Sequence, residues 1–428
     1  MTPARLGDKI GPLLQSTIVV IALRGLTLLS RFSLTIFIAK YMSLSELGEY
    51  GLIAGLIAVS PSALGFGLMN RICRNAATAG VEDTAKAVLQ YWAFVGAVYC
   101  GLAIVAGWIA IHQGYMRQTE ELFALAVTEH FCGDTFILLM SVRRPIVANA
   151  LMFARLGMSS ITFMALSAMI KPLCNVPILV TFMVVANLAC AFLFFAATAT
   201  WPWSRALMSL SVGGLREELK ASFALYVNDM LNAFGQYVDR LFVSSYLGLE
   251  LTGVYVLFWS VGNAMSTLVN NGVILLHRHA IVSSQKNDPA GTSQLLQALI
   301  KSTFLSSATL GALGILATYA MSLFLGRVAV SSNLYVLGLI TIGFIIRMIY
   351  EAIGIGLYSG HQDRSSLLTS FLVLSLTLLL DALAIPWLGL PGAGAVIVAA
   401  YSFGALLRWR LVQRWFDRRR SLGVMVPG

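Results

Sequence analysis

Residues 13–39 read LLQSTIVVIALRGLTLLSRFSLTIFIA, an apolar run whose only charges are Arg24 and Arg31. It exceeds the about 20 predominantly apolar residues that a helix needs to cross a bilayer. Comparable runs recur at 48–70, 87–111, 121–142, 146–170 and 177–199. A second set follows at 222–247, 252–276, 296–325, 331–358, 366–387 and 391–413. The runs are long and continuous, without the dyad alternation of a transmembrane barrel. The leading MTPARLGDKIGPLLQS has the basic character of a signal peptide. The apolar run behind it is too long for an h-region and has no A-x-A site, so it reads as the first retained span.

Composition agrees. Of 428 residues, 58% are hydrophobic and only 11% charged, with a mean hydropathy of +0.81. A soluble domain carries about a quarter of its residues as Asp, Glu, Lys or Arg. This chain lacks the material for such a surface, so lipid is its expected outer solvent. The net charge of +10 does not point to nucleic acid, because its placement follows the membrane. With the N-terminus inside, 20 flanking cations fall on inward segments, Arg408, Arg410 and Arg414 among them. Only Lys40, Arg117, Lys171 and Arg327 fall on outward loops. That bias predicts cytoplasmic termini and makes the tail WRLVQRWFDRRR (409–420) an anchor to anionic membrane lipid.

Segment 200–221, TWPWSRALMSLSVGGLREELKA, mixes Trp, Pro, Gly and charge. The expected organisation is an N-terminal six-helix lobe over 1–200, a cytoplasmic amphipathic connector over 201–221, and a C-terminal six-helix lobe with its basic tail over 222–428. The halves read as a repeat. YMSLSELGEY (41–50) and YLGLELTGVY (246–255) align at an offset of 205, bringing Tyr41, Leu44, Gly48 and Tyr50 onto Tyr246, Leu249, Gly253 and Tyr255. Gly67 meets Gly272 at the same offset. An even number of spans per half gives a parallel repeat, a known transporter plan. The fold class expected is an all-α polytopic membrane protein of about 12 transmembrane helices, in two six-helix lobes around a central cavity.

Five arginines lie within the spans: Arg24, Arg31, Arg155, Arg240 and Arg347. A charge at bilayer depth costs about 2.5–3.5 kcal/mol on insertion scales, so such residues face protein or a watery cavity. Arg24 and Arg31 are seven apart and share a helix face. Asp229, Asn232, Gln236 and Arg240 form a polar stripe on the seventh helix, with Asp239 beside it. Net positive charge between the lobes suits an anionic group, and arginine binds phosphate bidentately. Arg347 and Glu351, four apart, read as a mutual ion pair. Glu129 and His130 are adjacent and point to different faces, which argues against a metal site there. Asp134 and Asp381 fit either proton or sodium coupling or pairing to a neighbouring helix. The five cysteines form no CxxC pair. No nucleotide-binding or hydrolase motif supports a cofactor, ATP use or an enzyme.

Three stretches carry a family resemblance: LLSRFSLTIFIAKYMSLSELGEYGLI (28–53), VDRLFVSSYLGLELTGVYVLF (238–258) and IPWLGLPGAGAVIVAAYSFG (385–404). In order and spacing the chain resembles the Wzx-type polysaccharide flippases of the multidrug/oligosaccharidyl-lipid/polysaccharide exporter superfamily. The resemblance implies a multi-pass protein of the bacterial inner membrane that carries an undecaprenyl-pyrophosphate-linked oligosaccharide to the outer leaflet by alternating access. It implies coupling to H+ or Na+ and association with polysaccharide polymerase machinery. Arg24, Arg31, Arg240, Asp239, Gln236 and Arg155 would bind substrate; Asp229, Asp134 and Asp381 are the carboxylates available to a coupling ion. The alternatives are a multidrug/cation antiporter of the same superfamily, which wants an acidic cavity, and a membrane enzyme acting on lipid-linked sugar, which needs a larger outward loop.

Overall fold

The computed structural model describes residues 4–76, 80–113, 116–208, 215–287, 289–360 and 362–421. All regular elements among them are helices. The chain opens with α1 (Ala4–Tyr41), α2 (Leu44–Leu64), the short α3 (Leu68–Ala76), α4 (Val81–Gln113) and α5 (Met116–Ser141). α6 (Pro145–Met152) and α7 (Ser159–Met169) form one rod through a π-helical turn at Phe153–Met158. α8 (Val176–Ala197), α9 (Trp203–Met208) and α10 (Leu215–Gly235) follow. α11 (Val238–Val269) passes through a second π turn, Asn270–Ile274, into α12 (Leu275–Asn287). α13 (Pro289–Leu325), the single turn α14 (Val328–Ser331), α15 (Leu334–Ser359), α16 (Asp363–Leu388) and α17 (Leu390–Ser421) complete the fold.

Eleven helical stretches among the described residues are long and apolar enough to cross a membrane. One of them, Tyr226–Arg278, has 53 residues. At about 1.5 Å per residue it is more than twice the length of a hydrocarbon core of about 30 Å. It cannot be one crossing. Gly248, with φ 83° and ψ 172°, breaks it inside α11. Counted as two crossings, it raises the eleven to twelve, and the all-helical polytopic fold expected from the sequence is the one observed.

The second half of that stretch begins where a glycine is required, since its φ/ψ region is closed to residues with a Cβ. Other boundaries are written in side chains. Asn175 starts α8 by accepting the Ile178 N–H on its side-chain oxygen at 3.0 Å, with Pro177 in the first turn. The expected span 48–70 is two pieces: α2 stops at Leu64, and Phe66 and Gly67 turn the chain at φ 49° and 68° before α3.

Two compact units result. One takes the chain up to Met42 together with Ile53–Met230; the other takes Ser43–Leu52 and everything from Leu231 onward. The first nine residues of α2 therefore belong to the second unit and the rest of that helix to the first. In the first unit, Trp92, Phe131, Phe194, Trp201 and Trp203 form a continuous aromatic cluster, with Trp92 and Trp203 stacked at 6.2 Å. Trp203 Nε1 donates to Thr198 O at 3.0 Å. The two tryptophans of segment 200–221 thus pack into this unit; residues 209–214 lie outside the described residues. In the second unit, Leu296, Leu299, Ile353, Leu357 and Val412 bring α13, α15 and α17 together.

Gly248 and Gly25 both have open space where a Cβ would go, and only Gly248 has a positive φ. Gly248→Ala should therefore destabilise the detergent-solubilised protein by about 1–3 kcal/mol. Gly25→Ala, in a helix interior, should be neutral or stabilise by up to about 1 kcal/mol. Thermal unfolding of the two variants beside the parent measures the difference.

Candidate functional site

In the first unit Arg155 and Glu129 meet at the π turn of the α6–α7 rod. A π turn shifts side chains around the helix axis, and such turns are frequent at functional sites. Here it presents Arg155, whose Nη1 lies 2.6 Å from Glu129 Oε1 of α5. Asn187 of α8 holds the other oxygen, donating from Nδ2 to Glu129 Oε2 at 3.1 Å. α1 packs against the same turn. One turn earlier on the rod, Asn149 accepts a hydrogen bond from Arg24 Nε at 2.9 Å and donates to Pro145 O at 2.7 Å. Thr27, Ser30 and Thr35 return their hydroxyls to carbonyls four residues back along α1. That disposes of the small polar groups inside the helix. Arg24 is half-buried and Arg31 is exposed. Arg31 lies near the middle of the span Ile18–Tyr41.

Beside this group sits a buried polar nest. His130, 1% exposed, has Tyr91 Oη at 2.9 Å from Nε2 and Tyr99 Oη at 3.1 Å from Nδ1. Asp134 Oδ2 is 3.5 Å from His130 Nε2. Glu129 and His130 go to different partners, as their adjacency on one helix dictates. Asp229, at the end of the first unit, accepts from Asn70 Nδ2 at 2.5 Å.

In the second unit, Asp239 and Arg240 are both buried. The Arg240 guanidinium lies over the rings of Tyr237, at 4.7 Å, and Trp259, at 4.2 Å. Its Nη1 donates to Gly51 O at 2.8 Å. Asp239 accepts the Arg240 backbone N–H at 2.8 Å and the Tyr255 hydroxyl. Arg347 Nε meets Glu351 Oε1 at 3.2 Å, as the four-residue spacing predicts. Asp381 is fully buried, and neither of its carboxylate oxygens has a hydrogen-bond partner among the described residues.

Two sequence expectations need correction. The stripe Asp229–Asn232–Gln236–Arg240 does not lie along one helix. α10 ends at Gly235, and Gln236 and Tyr237 form a turn closed by Gln236 N→Ala233 O at 3.2 Å and Tyr237 N→Phe234 O at 3.1 Å. A four-residue spacing across a non-helical turn does not align side chains. Asp229 and Arg240 accordingly belong to different units. Arg408, counted among the flanking cations, is instead an interior group. Its guanidinium sits 3.5 Å from the Tyr350 ring centroid and donates to Tyr350 O, Thr369 Oγ1 and Ser370 Oγ. Asn149, Asn187 and Trp259 carry much of this geometry and were not singled out from sequence, and Tyr255 was noted only as a repeat position. Neutral amides and rings in apolar spans give no signal beyond their residue type.

No family model matches the chain, and no curated protein matches it by sequence. Solved structures do. A multidrug resistance MATE family transporter of the MOP superfamily, in an inward-facing conformation, superposes with a TM-score of 0.65 at 13% identity, covering 94% of this chain and 99% of the other. The lipid II flippase MurJ, in an inward closed conformation, gives 0.68 at 15% identity, covering 93% and 89%. An outward-facing MATE structure gives 0.58 at 13% identity, covering 95% of both. The chain has the fold of these transporters. At such identities the likeness extends to the fold alone.

The Arg155–Glu129 pair is well buried, with side-chain exposures of 8% and 19%. Removing one partner of a buried pair costs about 3–5 kcal/mol, whereas replacing both with apolar groups is often neutral. Arg155→Met should therefore lower the unfolding temperature, and Arg155→Met with Glu129→Leu should recover most of the loss. Thermal unfolding of the four proteins of this cycle measures both steps.

Proposed function

We propose that the chain is a flippase that moves a lipid-linked oligosaccharide, anionic at its pyrophosphate, from the inner to the outer leaflet of a bacterial inner membrane. The observation that carries this reading is Arg31, exposed near the middle of a span. A guanidinium at that depth is too costly to leave against lipid tails, so its exposure argues for a watery path. Arg24, one face-repeat earlier, lies on the same side of α1. Together they are suited to an anionic head group that hydrocarbon would exclude.

In this reading Arg24, Arg31 and Arg155 hold the pyrophosphate or acidic sugars, alternately reached from the two faces of the membrane. The prenyl tail stays in lipid. Among the carboxylates Asp229, Asp134 and Asp381, the last is best suited to a coupling proton or sodium ion. Asp229 is engaged by Asn70 and Asp134 lies beside His130, whereas both oxygens of Asp381 lack hydrogen-bond partners. The rival cation antiporter draws support from the MATE superpositions, but arginines inside the first span oppose an organic cation.

The test is reconstitution in liposomes with a fluorescent undecaprenyl-pyrophosphate-linked oligosaccharide and, separately, with ethidium. The parent should translocate the lipid and not the dye. Arg31→Ala and Arg24→Ala should reduce lipid translocation at least ~10-fold at equal membrane insertion, and Arg31→Lys should keep part of it, since lysine retains the charge but not the bidentate fork. Transport of ethidium with no movement of the lipid would overturn the assignment in favour of the antiporter.

A further inference from the structure

A groove opens between the start of α13 and the end of α17, and all of its lining belongs to the second unit. Its volume is about 330 Å³, within the about 300–1,000 Å³ that small-molecule sites occupy. The apolar part of the lining is Leu296, Val412 and Phe416, all buried. α15 backs it at Gly356, where a Cβ would lie 2.8 Å from Leu296 Cδ2 and 3.3 Å from Val412 Cγ2. The last turn of α17 is fixed by Trp415, whose ring meets that of Phe416 at 4.8 Å and lies against Gly360 at the end of α15. The polar part is Ser293 and Gln297 on α13, with Gln413 and Asp417 on α17. The half-buried Trp409 indole completes the lining.

Position narrows the occupant. One span begins at Gly291 in α13 and another ends at Asp417 in α17. A single groove joins these two ends, so both meet the same edge of the hydrocarbon, at the depth of lipid head groups. An indole is at home there, with one side apolar and the other wet.

Charge names the chemistry. Asp417 is the one ionisable group in the lining. Arg410 and Arg414 precede it by seven and three residues on α17, so the three share a face, and all three are exposed. Among the described residues no ion pair engages Asp417. Two guanidiniums beside a carboxylate complement a head group that is itself a phosphate beside a cation. The sequence alone points this tail to anionic lipid; the acid in the groove selects for an amine next to the phosphate. A quaternary amine has no N–H to give, whereas a primary ammonium has three.

We propose that the α13–α17 groove binds the head group of an aminophospholipid, its primary ammonium held by Asp417 and the Trp409 face and its phosphate by Arg410 and Arg414. The side-chain oxygens of Ser293, Gln297 and Gln413 are the acceptors for the remaining ammonium protons. Leu296, Val412 and Phe416 receive the apolar end of the lipid. The site requires only that the chain spans a bilayer, so it stands or falls separately from the flippase assignment.

Carbodiimide coupling tests it at one residue. In liposomes of phosphatidylethanolamine, phosphatidylcholine and phosphatidylglycerol, the reagent joins an amine to a carboxylate it touches, forming an amide and leaving as its urea. Peptide mass spectrometry should find the ethanolamine lipid on Asp417 at least ~10-fold more often than on Glu82, which is exposed at the start of the span Val81–Val105. Arg410→Gln with Arg414→Gln should cut the coupling at Asp417 ~10-fold and leave that at Glu82 unchanged. Equal coupling at Asp417 and Glu82 in the parent overturns the proposal. Native mass spectrometry of the purified protein, titrated with each lipid in turn, gives an independent readout. The parent should bind the ethanolamine lipid ~10-fold more tightly than the other two, and Asp417→Asn, at an exposed position, should abolish that preference at an unchanged unfolding temperature. A parent that prefers phosphatidylglycerol, or a preference for ethanolamine that survives Asp417→Asn, overturns it as well.

Discussion

A guanidinium inside an apolar unit must be given partners by that unit, and the arrangement of the second unit follows from meeting this demand three times. Arg240 is held by two ring faces and a helix carbonyl. Arg347 has Glu351 and lies 5.7 Å from the Tyr401 ring centroid. Arg408 has a ring face, a carbonyl and two hydroxyls. Only one of the three leans directly on a carboxylate side chain. The others use quadrupoles and dipoles, which satisfy a delocalised cation without burying a second full charge. With Glu351, the carboxylates Asp239 and Asp381 equal the three arginines in formal charge. In the first unit Glu129, held in place by Asn187, meets Arg155, and Asn149 meets Arg24.

The spans were legible because hydrocarbon thickness imposes a length that any apolar run must meet, and the sequence shows that length directly. Of the glycines that mark the expected repeat, Gly48 and Gly253 lie where a Cβ would strike a neighbouring backbone carbonyl, whereas Gly272 has open space. The break after Gly235 was not legible. Its flanks, Asn232 and Gln236, keep helical spacing in the letters while the chain between them turns. Nor was the burial of Arg408, which sits four residues beyond Gly404 in a run ending in arginines. Hydropathy places it at the membrane edge. The Tyr350 ring, 58 residues away, draws it inward together with Thr369 and Ser370. Residue type picked out the arginines inside the spans and spacing paired Arg347 with Glu351, but the other partners and the exposures could not be read without the fold.

The offset of 205 does not carry everything across. It brings Gly48 onto Gly253 and Tyr50 onto Tyr255, yet it sets Thr35 where Arg240 stands and Leu34 where Asp239 stands. The guanidinium that reaches Gly51 O therefore has no arginine at its matching position. The same offset carries Arg24 onto Asp229 and Arg31 onto Gln236. Both positions are polar at either end of the offset, but two arginines stand against an acid and an amide. Gly48 and Gly253 follow the offset because a close backbone approach admits no Cβ, whereas charge follows the partner each helix meets: Arg24 has Asn149 and Asp229 has Asn70.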